Sequence, residues 1–215
     1  NFYTFGRNKL KGLLHRFILK KPFVHKPNAF TFNTRFIVLC NIVVVVLATG
    51  SYFLLEQRST LMQDRSVYGE FVTSFFMANS ARSAGFNSVD IGFLSSPTLI
   101  MVVTLMWMGA SPGSTGGGVK VTAVALAVLN IVALARGKES IEIYKRRIAS
   151  ESVNKAFAII LLSVLTIVLS FILLTFADPE KEMKQLLFEA VSAYTTCGLS
   201  LGVTPSLTSS SKFVL

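Results

Sequence analysis

Gly109-Ala-Ser-Pro-Gly-Ser-Thr-Gly-Gly-Gly118, followed by Val119-Lys120, interrupts one of the longest apolar runs in the chain, between Leu99–Met108 and Val119–Ala135. Five glycines in this stretch cannot sustain a helix throughout. In lipid an unpartnered backbone group costs several kcal/mol, so irregular backbone at membrane depth must line a cavity or lie within protein. The chain therefore reads as one that holds a non-helical segment inside a membrane, a habit of channels and transporters. Gly113 and Gly118 have the spacing of a phosphate-binding P-loop, but Val119 separates the last glycine from Lys120, and Val121 stands where Ser or Thr is needed. Without a preceding strand, a nucleotide site is disfavoured.

Composition points the same way. Apolar residues make up 52% and charged residues 15%, against about 25% charged in an ordinary soluble domain. The net charge of +10 is unevenly placed. Residues 1–35 hold eight Lys and Arg with no acid, and 136–155 is again rich in Lys and Arg. The alternate connections carry Glu56, Asp64, Glu70, Asp90 and then Asp178, Glu180, Glu182. That is the positive-inside pattern, with 1–35 and 136–155 cytoplasmic and 57–67 and 178–183 outside. It favours a membrane over a nucleic-acid partner. Cys40 and Cys197 lie in apolar context and suggest neither a disulfide nor a zinc site. His15 and His25 sit among lysines as surface residues, and the charged first 20 residues do not form a signal peptide. A start at Asn1, without Met, suggests a piece of something longer.

Two full spans are expected, Phe36 to about Leu55 and Ala156–Phe176, each about 20 residues and long enough for a core of about 30 Å. Pro97–Ala135 reads as one span broken near its middle. Tyr68–Ala81 and Lys184–Tyr194 are too short to cross and are candidate re-entrant helices. Each ends in a small-residue cluster, Arg82-Ser-Ala-Gly85-Phe-Asn87 and Thr195-Thr-Cys-Gly198-Leu-Ser200. Setting Gly85 against Gly198 aligns Phe75 with Phe188, Ser83 with Thr196, Phe86 with Leu199 and Asn87 with Ser200. The expected unit is span, re-entrant helix, glycine turn, span, present twice. The fold class is thus an all-α integral membrane protein with one broken helix. Its parts are 1–35, a basic segment; 36–135, one repeat with intramembrane loop 109–118; 136–155, a cytoplasmic connection; and 156–215, a second repeat that stops before its last helix.

A dehydrated monovalent cation needs oxygens in place of its water, and inward-facing main-chain carbonyls supply them in selectivity filters. Glycine permits the backbone angles this requires. Ser83, Ala84, Gly85 and Phe86, with Thr196, Cys197, Gly198 and Leu199, are the candidate ion-contacting residues. The short helices would aim their partly negative C-terminal ends at the ion path.

At Ala81-Arg-Ser-Ala-Gly-Phe-Asn-Ser-Val-Asp90, at Gly109–Lys120 and at Tyr194-Thr-Thr-Cys-Gly-Leu-Ser200 the chain resembles the Trk/Ktr/HKT superfamily of potassium transporters, from about Phe32 onward. The resemblance implies four helix–pore-helix–helix repeats around one pore, of which this chain would be the third and most of the fourth. It implies K+ as the transported ion and no cofactor in this chain. Gly85 and Gly198 would be two of four filter glycines, and glycine rather than serine at both favours potassium over sodium. Gly109, Ser111, Pro112, Gly113, Ser114, Thr115, Gly116, Gly117 and Gly118 would form the loop that gates the pore, with Lys120 matching a lysine common after it. The resemblance further implies a homodimer in the cell membrane and a cytoplasmic nucleotide-binding regulatory ring. The basic segments 1–35 and 136–155 lie on the side suited to that ring or to lipid headgroups. With half the filter and the last helix missing, the fragment alone is not expected to conduct.

Several charged residues carry expectations of their own. Arg82 reads as a strut at the end of a short helix rather than a solvent-facing residue. Glu189 is expected to pair with a neighbouring repeat. Asp90 either caps the descending segment or attracts cations, and Lys120 either anchors the loop or repels cations. Trp107 and Met106 read as packing. Three other readings compete. An enzyme would need a base near Ser111, Ser114 or Thr115, and none is near in sequence. A two-repeat cation channel subunit would need a complete last helix, and a non-conducting scaffold leaves the glycine-rich loop without a purpose.

Overall fold

The computed structural model describes residues 32–57, 66–138, 142–143 and 146–215. Residues Cys40–Leu215 form one compact unit. The expected basic segment 1–35 lies outside the described residues except for 32–35, as do residues 58–65 of the expected outer loop and 139–141 and 144–145 of the expected cytoplasmic connection.

Seven α-helices are described: α1 Phe32–Glu56, α2 Val67–Ser83, α3 Ser96–Trp107, α4 Val121–Ala135, α5 Ser150–Ala177, α6 Met183–Tyr194 and α7 Ser209–Val214. Two 3-10 turns, Ile91–Phe93 and Thr204–Ser206, precede α3 and α7. A two-residue antiparallel ladder, β1 Glu142–Ile143 with β2 Arg146–Arg147, lies in the connection expected to be cytoplasmic.

At about 1.5 Å per residue, the 25 residues of α1 and 28 of α5 reach roughly 37 and 42 Å, enough to cross a bilayer. Both run beyond their expected limits, α1 from Phe32 and α5 from Ser150, because the polar residues added fit a helix end outside the hydrocarbon. An exposed Glu151–Lys155 pair spans that first turn of α5. Each long helix turns only a narrow stripe toward protein. In α5 it is Val153, Ala156, Ser163, Ile167 and Leu174, while Leu161, Leu162, Leu165, Leu169 and Leu173 are exposed. Large exposed apolar faces of this kind suit lipid or further helices.

The shorter helices have local causes. Ser66 caps α2 by accepting from Gly69 N at 3.2 Å, with Glu70 in the first turn where the helix dipole favours an acid. Pro97 stands at the start of α3, where it removes no needed donor. α4 ends on Gly137 at φ 71°, with Lys138 N donating to Ala133 O and Gly137 N to Leu134 O, a glycine-terminated Schellman cap. The interrupted run is indeed two helices, of 12 and 15 residues, neither long enough to cross alone.

α2 packs on α3, α3 on α6, α6 on α5, and α5 on both α4 and α7. The core joins Ala48 and Tyr52 of α1, Met77 and Ala81 of α2, Val102 and Met106 of α3, and Phe188 and Val191 of α6. α6 is buried almost all round, from Leu186 to Ser192. That burial holds a 12-residue helix which would be marginal in isolation.

Beyond the two glycine turns the chain repeats itself position by position. Gly85 and Gly198 both sit at positive φ, 69° and 89°. At one constant separation, Ile91–Phe93 matches Thr204–Ser206, and the helix caps Ser95 and Thr208 match each other. Thr98 and Ser211, both fully buried, match as well, and the hydroxyl pairs Ser95–Thr98 and Thr208–Ser211 are hydrogen-bonded.

Candidate functional site: two glycine turns over an intramembrane loop

The helix α2 ends at Ser83, and the chain reverses through Gly85. Ala84 N and Gly85 N donate to Ser80 O, and the Ser80 hydroxyl donates to Phe86 O, so one side chain ties both sides of the turn. The second turn is held differently. Thr196 N donates to Ala193 O and Cys197 N to Ser192 O. The Cys197 thiol reaches across to Ala81 O at 3.2 Å, seating this turn on the end of α2. A Cβ added to Gly85 would overlap Cys197 O and lie 3.1 Å from Cys197 C. The two turns thus meet backbone to backbone, and only glycine allows it. Both cysteines are free thiols.

Past the second turn, the descending segment is fastened by Glu189. Its carboxylate is buried and accepts from the Ser200 hydroxyl, from Leu201 N at 3.2 Å and from the Thr204 hydroxyl at 2.9 Å. This corrects the expectation of a neighbouring repeat: the partners lie in the segment that follows its own helix. Loop closure, not helix face, brings them together. The position matching Glu189 in the first half is Phe76, which is exposed.

Two further acids play matching parts. Glu56, at the end of α1 and fully buried, accepts from Ser95 N and Oγ at 3.0 and 2.7 Å. Asp178, just beyond α5, accepts from Thr208 N and Oγ1 at 3.2 and 3.1 Å. Each long helix therefore ends in a carboxylate that grips the cap of a later short helix. Hydrogen bonding by Ser211 and Thr208, with the charge of Lys181, holds the Asp178 carboxyl below its ordinary pKa, against an opposing effect of burial. Asp90 caps the first 3-10 turn by accepting from Gly92 N at 2.9 Å, which selects the capping alternative.

The loop 109–118 lies against both turns. Its neck is closed by Val119 N donating to Trp107 O at 3.0 Å. There Gly109 and Gly118 face each other so closely that a Cβ on Gly109 would lie 2.5 Å from Gly117 O. On the returning limb of the loop, next to the neck, a Cβ on Gly116 would lie 3.0 Å from Ser83 Cβ, and one on Gly117 would lie 2.8 Å from Thr195 O. Gly117 N donates to the Thr196 hydroxyl at 2.8 Å. Thr196 is the one non-glycine residue at positive φ, 53°, among those described. Ser111, Pro112, Gly113, Ser114 and Thr115 form the rest of the loop, all but half-buried Ser111 being exposed.

Two cations hold this loop. Lys120 Nζ donates to Gly116 O at 2.5 Å and approaches Ser114 O at 3.5 Å, which makes it an anchor of the loop carbonyls. The Arg82 guanidinium, 8% exposed, donates to Asn41 Oδ1 at 2.7 Å and approaches Gly109 O at 3.4 Å. It is a strut, as expected, joining α2, α1 and the loop. Trp107 does more than pack, because its indole N–H donates to the Ser163 hydroxyl of α5 at 3.0 Å. Met106 is fully buried, as read.

Ser80, Asn41 and Ser163 were not singled out in the sequence, and Glu56 and Asp178 were read only as charges of the outer connections. For the acids a signal existed: a carboxylate at the end of each apolar span. Nothing local marked the others.

Comparisons with known proteins show the family. The family model for TrkH, described as a cation transport protein, matches residues 5–215. The chain is 32% identical over 186 residues to the Ktr system potassium uptake protein B of Vibrio alginolyticus, covering 85% of this chain and 40% of that protein. It is 31% identical over 191 residues to the Ktr system potassium uptake protein D of Bacillus subtilis strain 168, covering 89% and 42%. The crystal structure of the potassium transporter TrkH from Vibrio parahaemolyticus superposes with a TM-score of 0.62 at 20% identity, covering 83% of this chain and 40% of that one, a likeness of fold. The chain thus spans about two-fifths of the length of these relatives. The chain belongs to the TrkH cation transport family, the Trk/Ktr superfamily of multi-pass plasma-membrane subunits, which are ion transporters and not enzymes.

Proposed function

We propose that this chain forms half of a potassium-uptake pore, two helix–re-entrant helix–helix repeats of four. α2 and α6 are the re-entrant helices, and the broken span is α3, loop 109–118 and α4. The main-chain oxygens of Ser83–Phe86 and Thr196–Leu199 contribute half of the selectivity filter, replacing the hydration of K+. The loop 109–118 is the gate beneath it. The observation that carries the reading is the meeting of the two left-handed glycine turns, with Gly116 and Gly117 of the loop packed directly against Ser83 and Thr195. The position-by-position repetition of turn, 3-10 turn and capped helix supports the repeat organisation, and the names of the relatives support potassium as cargo.

The gate assignment has a physical motive. A glycine-rich loop has several accessible backbone states, and a switchable element must cost only a few kcal/mol to move. Whole-protein partners follow from the same reading: a homodimer in lipid, with a cytoplasmic nucleotide-binding ring facing 1–35 and 136–155. The test is potassium uptake by the full-length protein in cells lacking other potassium systems. Gly198→Ser should lower the preference for potassium over sodium by about tenfold, if the turn loses only some 1–2 kcal/mol of its left-handed preference, and Gly85→Ser by at least as much, because its Cβ also overlaps Cys197 O. Unchanged selectivity in both, at normal expression, refutes the filter assignment.

A further inference from the structure

The turn at 195–198 and the loop touch through one specific bond, the Gly117 N–H donating to Thr196 Oγ1 at 2.8 Å. Thr196 holds a left-handed backbone at φ 53°, a sterically poor conformation for a β-branched residue. Glycine would sit there more easily, so the side chain has a use that outweighs the strain. The visible use is the hydroxyl bond. The other contacts of the loop differ in kind. Lys120 holds the Gly116 and Ser114 carbonyls from within the same segment, and Arg82 lies near Gly109 O at the neck. Lys120 can travel with the limb it holds, and Arg82 meets the loop only where the chain enters it, at Gly109. On the first turn, Ser83 meets Gly116 through carbon. The Thr196–Gly117 bond is therefore the polar link that must break when the Gly116–Gly117 limb of the loop leaves the turn.

Resting on the pore proposed above, we infer that Thr196 is a latch: its backbone belongs to the filter and its side chain holds the gate loop shut. A neutral hydrogen bond of this kind shifts a two-state equilibrium by about two- to tenfold. The latch is weak enough to release and strong enough to bias. It also couples the two functions, because a change in the Thr196 backbone on ion binding moves the atom that holds the gate.

The experiment uses the full-length transporter, with Thr196→Val, Thr196→Ala and Thr196→Ser made alone and combined with deletion of residues 112–117. Uptake is read at saturating potassium, and preference against sodium is read in parallel. Val keeps the shape without the hydroxyl, Ala keeps the result readable if Val fails to insert, and Ser restores the bond. Expected are a two- to tenfold higher uptake for Val and Ala than for Ser, and no difference among the three once the loop is deleted. Unchanged uptake in Val and Ala overturns the latch. So does lost potassium preference in Val and Ala with Ser normal, which would make the hydroxyl a filter group. So does an equal effect with the loop deleted. If the deletion itself raises uptake while Val and Ala do nothing, the gate stands and only the latch fails. If the deletion does not raise uptake, the gate fails and the latch with it.

Discussion

The carbonyl oxygen of Cys197 occupies the space that a side chain on Gly85 would need, whereas Gly198 has open space beside it. Both glycines sit at positive φ in matching turns, but only Gly85 is packed against the other turn. Gly85→Ala must therefore displace backbone as well as strain it. Its yield and thermal stability in detergent are expected to fall well below those of Gly198→Ala, whose cost is confined to about 1–2 kcal/mol of backbone strain. Equal losses in a fluorescence-detected thermal shift assay would contradict this packing.

Glu189 receives three donors, two hydroxyls and a backbone N–H. Glu189→Ala leaves those donors unmet in a buried place, and a destabilisation of about 1–3 kcal/mol follows. Glu189→Gln keeps one acceptor oxygen but turns an amide NH2 toward donors, and should fall between. Because the segment held is the one directly after Gly198, reduced potassium preference should accompany the stability loss. Full selectivity in a stable Glu189→Ala protein would show that the segment is held by other means.

Lys120 anchors the loop by its ammonium group. Lys120→Met keeps the length and removes the donor, freeing the Gly116 and Ser114 carbonyls. The loop should become more mobile, and uptake at saturating potassium should rise, by about two- to tenfold per hydrogen bond lost. Reduced uptake with a normally inserted protein would instead make Lys120 part of the conducting path.

Asp178 sets a pH dependence. Its folded pKa lies below the ordinary value of 3.8 because Ser211 and Thr208 donate to the charged form. A depressed acid pKa contributes stability that is present above the unfolded value and is lost as pH falls through the folded one. Wild-type thermal stability should therefore drop as pH goes below about 3.8. Asp178→Asn should be less stable at pH 6 and should lose less on acidification. Parallel curves for the two proteins would remove Asp178 from that account.

Topology follows from charge. A single cysteine at position 138 should label from the cytoplasm, and one at 181 from outside, in a background without Cys40 and Cys197. Labelling of position 138 from outside intact cells would reverse the assignment.

The spans, the short helices, the break at 109–118 and both glycine turns were legible in the sequence, because each is written in local composition: apolar length, glycine content, and lysine and arginine bias. The alignment of Gly85 with Gly198 was legible because matching residues recur in order. The tertiary structure alone decided the partners. Glu189 holds Ser200 and Thr204, Arg82 holds Asn41, Thr196 holds Gly117, and Glu56 and Asp178 hold Ser95 and Thr208. Periodicity within one helix carries no record of these pairs. A hydrogen bond is made by two atoms that the packing of several helices brings within about 3 Å, and the residues on either side of each atom say nothing about which chain segment will arrive there.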